Sequence, residues 1–236
     1  MKAITGYFIG IFISLLIPGL CSAQGLTFDE VSRQPYSFLG GFLTGYAAHE
    51  MGHIIVAGSL GYPIEYTGGS ITYGTKPMGS HDQRRIASAG FQAQWIASEF
   101  AFSARAKSNS TYAAGVICAH LAISAAYLTF LKNQNLGDSV GFANATGLST
   151  DQVVWSAAIP ALLDSWRLIG DKVPRWVPAM SIAGKGIGIT AIWVYLDPET
   201  NRRQPGRARP AGAAIQRRWP SVVRATLSTV KPSPTA

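Results

Sequence analysis

The chain is poor in charge and in cysteine. Only 14 % of its 236 residues are Asp, Glu, Lys or Arg, against roughly 25 % in an ordinary soluble domain. Apolar side chains make up 47 %. That balance argues against a cytosolic globule and against a disordered chain. Cys21 and Cys118 are the only cysteines; two are too few for a disulfide framework and exclude a cysteine-rich zinc site. Any metal must therefore be held by histidine and carboxylate. Acidic residues number twelve against twenty basic ones, and the excess is uneven. Residues 197–236 hold eight of the bases and only Asp197 and Glu199 of the acids, leaving twelve bases against ten acids elsewhere. A nucleic-acid-binding face needs basic charge spread over a folded surface. The nearly neutral body lacks it, so no nucleic-acid partner is expected.

What is present is apolar sequence in long runs. Lys2, the run from Ile4 to Leu20 and the small residues Cys21-Ser22-Ala23 follow the order of a secretory signal peptide. A spanning helix needs about 20 mostly apolar residues. Segments 37–58, 86–104, 112–131, 152–170 and 177–196 each fit that length with few charges. Their many Gly, Ala and Ser residues suit close helix packing. Residues 64–73 read as a β-hairpin, with β-prone residues flanking Gly68-Gly69. The expected fold is all-α: a polytopic helical membrane bundle of about five spans after a signal peptide, with a short β-hairpin near 64–73. The expected organisation is a signal peptide at 1–23, a helical membrane domain at 24–196 and a basic, proline-rich flexible tail at 197–236. A soluble all-helical protein is the alternative. Lys and Arg favour the cytoplasmic side of a membrane. With Gln24 outside, the tail's arginines fall inside, against anionic lipid headgroups. The expected location is a bacterial inner membrane, with the tail cytoplasmic.

His49-Glu50-Met51-Gly52-His53 lies in the first of the five segments. Residues four apart on a helix share a face, so His49 and His53 can offer ring nitrogens to one Zn²⁺. Glu50 can then reach a water on that metal, as general base. Three ionisable groups in an apolar segment are costly without a partner, and a metal would satisfy all three. A polar patch between helices is the plainer alternative. A haem-binding histidine pair would leave Glu50 without a task.

This motif resembles the first core helix of the intramembrane zinc metalloproteases of the site-2 protease type, whose pattern is His-Glu-x-Gly-His. Two further stretches are similar to that family: the hairpin at 64–73, and Arg85-Ile86-Ala87-Ser88-Ala89-Gly90-Phe91 at the next helix. The resemblance covers mainly residues 37–105. It implies a zinc-dependent protease that hydrolyses peptide bonds of membrane-embedded protein or peptide substrates, with Glu50 catalytic and His49 and His53 on the metal. It also implies Asp164 as third ligand, because Pro160-Ala161-Leu162-Leu163-Asp164 is similar to the family's Pro-x-x-Leu-Asp segment.

Three carboxylates compete for that place. Asp164 can instead pair with Arg167 at i, i+3. Glu99, on the following helix, is the arrangement of soluble gluzincins, but its depth counts against it. At about 1.5 Å per residue it lies roughly 20 Å from the inner end, where His53 is about 8 Å in. Asp138, in a Gly137-Asp138 turn, could swing back from a polar loop. Gln92 and Gln94 could bind a substrate backbone or bond between helices. His120 reads as a helix contact or a ligand. A non-catalytic, metal-binding or scaffold relative of the proteases is the rival to an enzyme.

Overall fold

The segment between Pro35 and Ser59 carries proline at its first turn, where the missing N–H costs nothing, and then runs as one unbroken helix. In the computed structural model, which describes residues 25–67, 70–73, 77–134 and 137–195, each of the five long apolar segments is a helix. These are α2 (Pro35–Ser59), α3 (Ser80–Ser108), α4 (Thr111–Thr129), α6 (Thr150–Ile169) and α7 (Trp176–Thr190). Two shorter helices join them: α1 (Phe28–Arg33) before α2, and α5 (Asp138–Thr146) between α4 and α6. The expected signal peptide and basic tail lie outside the described residues.

Local chemistry sets the helix ends. Thr27 caps α1 and Ser110 caps α4 through their hydroxyls. Ser149 and Gln152 form a reciprocal capping box at the start of α6. The polar loop expected around Asp138 is partly helix. Gly137, at φ +138°, turns the chain into α5, and Gly147, at φ +79°, ends it. The expected hairpin is present as the antiparallel strands β1 (Glu65–Thr67) and β2 (Ser70–Thr72), with Glu65 opposite Thr72 and Thr67 opposite Ser70. Its turn residues, Gly68 and Gly69, lie outside the described residues. Tyr62 ties the loop after α2 to the start of α3 by donating to Asp82 at 2.7 Å. Burial, helped by the Asp82 carboxylate, pushes this phenol up to about 12.

The helices pack through glycine. A β-carbon at Gly41 would lie 1.9 Å from the Tyr112 carbonyl oxygen, and one at Gly115 would lie 2.1 Å from that of Phe38. Backbone contact of this closeness clamps α2 against α4. Gly52 does the same against Ala89 of α3. α3 is the centre of the bundle and touches α2, α4, α5 and α7.

Polar and charged groups are buried beside an apolar core that includes Phe91, Trp95, Ile117 and Leu168. Facing inward are His49, His53, Gln94, Ser98, Glu99, His120, Asp164, Arg167 and Lys185, all buried. Facing outward are large apolar side chains in helical stripes: Leu39, Leu43, Met51 and Ile55 on α2, and Trp155, Ile159, Leu162, Trp166 and Ile169 on α6. Among the described helices α4 alone is long and apolar enough by itself to cross a membrane, with mean hydropathy 1.5. Most of the buried polar groups come from the other four long helices, with His120 from α4; α7, at 15 residues, is also shorter than the rest.

Candidate metal centre

The site begins with the helical period. His49 and His53, one turn apart on α2, both turn inward toward α3. Each ring is fixed from behind. His49 Nδ1 donates to Gln94 Oε1 at 3.0 Å, and the Gln94 amide donates in turn to Ser124 Oγ at 3.3 Å. His53 Nδ1 donates to the Ile86 carbonyl at 2.7 Å. With both Nδ1 positions used as donors, the two Nε2 atoms are left to face the same point, 3.4 Å apart.

Asp138 completes that point. Its Oδ2 lies 2.9 Å from His49 Nε2 and 3.1 Å from His53 Nε2, and it accepts from the Tyr127 hydroxyl at 2.6 Å. All three residues are buried, and their donor atoms lie within 4.8 Å of one another. Two ligands at about 2.0–2.1 Å from a tetrahedral zinc stand roughly 3.3 Å apart, so the spacing of the two nitrogens suits one ion. Two imidazole nitrogens and a carboxylate oxygen are also a zinc-type donor set. Space is provided by α3: a β-carbon at Gly90 would sit 2.4 Å from His53 Nε2 and 2.6 Å from His49 Nε2. Glu50, next to His49 on α2, is half-buried.

Asp164, the expected third ligand, is elsewhere. It sits in a closed ion cluster with Arg167 (2.8 Å), Lys185 and the Ser181 hydroxyl (2.6 Å). Glu99 belongs to the same cluster, taking both guanidinium nitrogens of Arg167 at 2.7 and 3.1 Å and Lys185 at 2.5 Å. The i, i+3 partnership of Asp164 with Arg167 that competed with ligation in the sequence is the one formed. Two carboxylates and two cations neutralise one another there, so neither acid is left over for the histidines. His120 Nε2 lies 3.3 Å from Asp164 Oδ2, without hydrogen-bond alignment at either ring nitrogen.

Asp138 was the weakest of the three candidates by sequence, because a Gly-Asp turn is common and α5 was not visible. Gln94 is claimed by His49. Gln92 accepts from the Trp193 indole at 2.7 Å and donates to Ser88 at 2.8 Å. Tyr127 carried no signal beyond a hydroxyl near the end of a charge-free segment. Comparison with protein-family models, with curated proteins and with solved structures finds no match to this chain.

Proposed function

We propose that the protein is a zinc-dependent intramembrane metalloprotease of the site-2 type, with His49, His53 and Asp138 as its metal ligands and Glu50 as its general base. The observation that carries this reading is the convergence of three electron-pair donors on one buried point, with both histidine Nδ1 atoms already committed to other partners. With both Nε2 atoms unprotonated, three acceptor atoms at 2.9–3.4 Å would repel. A divalent cation removes that conflict at once. Zinc, when bound, acidifies a water to about neutral pKa and polarises a carbonyl.

The chain's own residues do the rest. Gln94 and the Ile86 carbonyl hold the rings in the tautomer that points Nε2 inward. Glu50 takes the proton from the attacking water and returns it to the leaving amine. The hairpin offers strand edges for an extended peptide.

The membrane setting is part of the proposal. Outward apolar stripes on α2 and α6 and inward charges are what a lipid-facing bundle requires. Five helices would then span, although α4 alone has the hydropathy to do so by itself. The buried charges Glu99 of α3, Asp164 and Arg167 of α6 and Lys185 of α7 are neutralised against one another in one cluster.

The rival is a non-catalytic relative, in which Asp138 merely bridges two protonated histidines. Hydrolysis of a peptide by detergent-purified protein, compared between the parent and Glu50→Gln, separates the two. Turnover lost in Glu50→Gln with zinc retained supports the enzyme. A parent that holds zinc but shows no Glu50-dependent hydrolysis supports the rival.

A further inference from the structure

An aspartate in the first turn of a helix is normally drawn to that helix's own free N–H groups. Asp138 opens α5, and the N-cap residue before it, Gly137, has no side chain to satisfy those groups. Yet the Asp138 carboxylate reaches away from α5. Its Oδ2 accepts the Tyr127 hydroxyl of α4 at 2.6 Å and faces both imidazoles.

The tyrosine that draws it out is itself held. Tyr127 is buried, and its ring meets Phe91 edge-on, with centroids 4.8 Å apart at 63°. Phe91 in turn stands perpendicular to His49, with centroids 5.7 Å apart at 89°. The direction of the phenol hydroxyl is therefore set by the same aromatic group that packs against the histidine.

We propose that Tyr127 is a positioning residue of the metal centre, whose hydroxyl pulls Asp138 off its own helix terminus and presents one carboxylate oxygen to His49 and His53. The inference rests on the reading that these three residues hold a metal. On that reading every ligand has a partner behind it: Gln94 for His49, the Ile86 carbonyl for His53 and Tyr127 for Asp138. A carboxylate oxygen has lone pairs enough for a metal and a hydrogen bond together. Loss of such an outer partner weakens metal binding by about 10–100-fold.

The test is zinc affinity of the full chain in detergent, stripped with a chelator and titrated with Zn²⁺ against a chromophoric competitor. Tyr127→Phe removes one oxygen and keeps the ring. It is expected to weaken zinc binding by about 10–100-fold while the circular-dichroism melt stays close to the parent's. In an Asp138→Asn background the same change is expected to alter affinity by less than about twofold, since its route of action is already gone. With Co²⁺ in place of zinc, Tyr127→Phe should also shift the visible absorption bands. Parental affinity in Tyr127→Phe, or an equal loss in both backgrounds, overturns the inference while leaving the metal site standing. A parent that binds no zinc, or His49→Ala and Asp138→Asn that bind it like the parent, overturns the metal reading and the inference with it. Should Tyr127→Phe fail to fold, Phe91→Leu keeps the hydroxyl but frees its ring. Because Phe91 also packs on His49, the variant is read in both backgrounds: a several-fold loss of zinc affinity confined to the chain with Asp138 intact is expected, and parental affinity or an equal loss in Asp138→Asn overturns the inference.

Discussion

A β-carbon on residue 90 would lie 2.4 Å from Nε2 of His53. Real β-carbons do not approach other heavy atoms this closely, so Gly90→Ala must push the rings of both His49 and His53 off the point they share. The fold has less to lose than the site, because the clash is with side-chain ends rather than with backbone. Gly90→Ala is expected to abolish zinc binding while the protein still assembles. Gly58→Ala is the matched control, since its β-carbon would meet nothing nearer than 3.9 Å. Zinc content of the two purified variants checks this.

The ion cluster is expected to matter for stability and not for metal. Lys185 is fully buried and bonds to Ser98, Glu99 and Asp164. Lys185→Met leaves two buried carboxylates facing Arg167 alone. Removing one partner of a buried ion pair costs about 3–5 kcal/mol, so the melting temperature should fall sharply. Zinc per folded chain should not change. If Asp164 were a metal ligand, disturbing its cluster would alter zinc binding as well.

Acid should loosen the contact of α1 with the bundle. Both Glu30 oxygens accept from Arg105, at 2.6 and 2.9 Å. These bonds hold the Glu30 carboxyl below its ordinary value of 4.5. A lowered folded-state value stabilises the fold above the unfolded value, and that contribution disappears as pH falls through the lower one. Glu30→Gln should therefore melt below the parent at pH 7. The gap should close progressively as pH drops below 4.5. A gap independent of pH would exclude the ion pair as its cause.

Lipid is the expected solvent of the α6 stripe. Leu162 is 55 % exposed between Ile159 and Trp166. A charge at the centre of a membrane helix costs about 2.5–3.5 kcal/mol, so Leu162→Lys should reduce the amount of protein recovered in membranes. The parent should stay in the membrane pellet after alkaline extraction. Release of the parent as a soluble monomer would contradict the membrane reading.

Much of this arrangement was legible in the sequence. The five helices followed from apolar length and small-residue content, and the hairpin from its β-prone residues around Gly68-Gly69. The pairing of His49 with His53 followed from helical period and from the His-Glu-x-x-His pattern within an apolar segment. The third carboxylate did not, because it depends on tertiary packing. The i, i+3 pair of Asp164 with Arg167 was legible, but nothing local tells that Glu99 and Lys185 join it, or that α5 swings Asp138 onto α2. Resemblance favoured Asp164, whereas charge pairing consumed it. Tyr127 was invisible as a site residue for the same reason, and Gln94, read as a substrate-binding or interhelical polar group, makes the interhelical bond, with His49 as the partner the sequence did not name.

The central claim is that His49, His53 and Asp138 bind one zinc ion. Its most direct test is zinc per chain, measured by elemental mass spectrometry on purified parent, Asp138→Asn and Asp164→Asn protein. The expected result is stoichiometric zinc in the parent, substoichiometric zinc in purified Asp138→Asn, whose weaker two-histidine site still titrates with added Zn²⁺, and retention in whatever Asp164→Asn protein folds. A metal-free parent, or zinc lost from Asp164→Asn and kept in Asp138→Asn, would contradict the account.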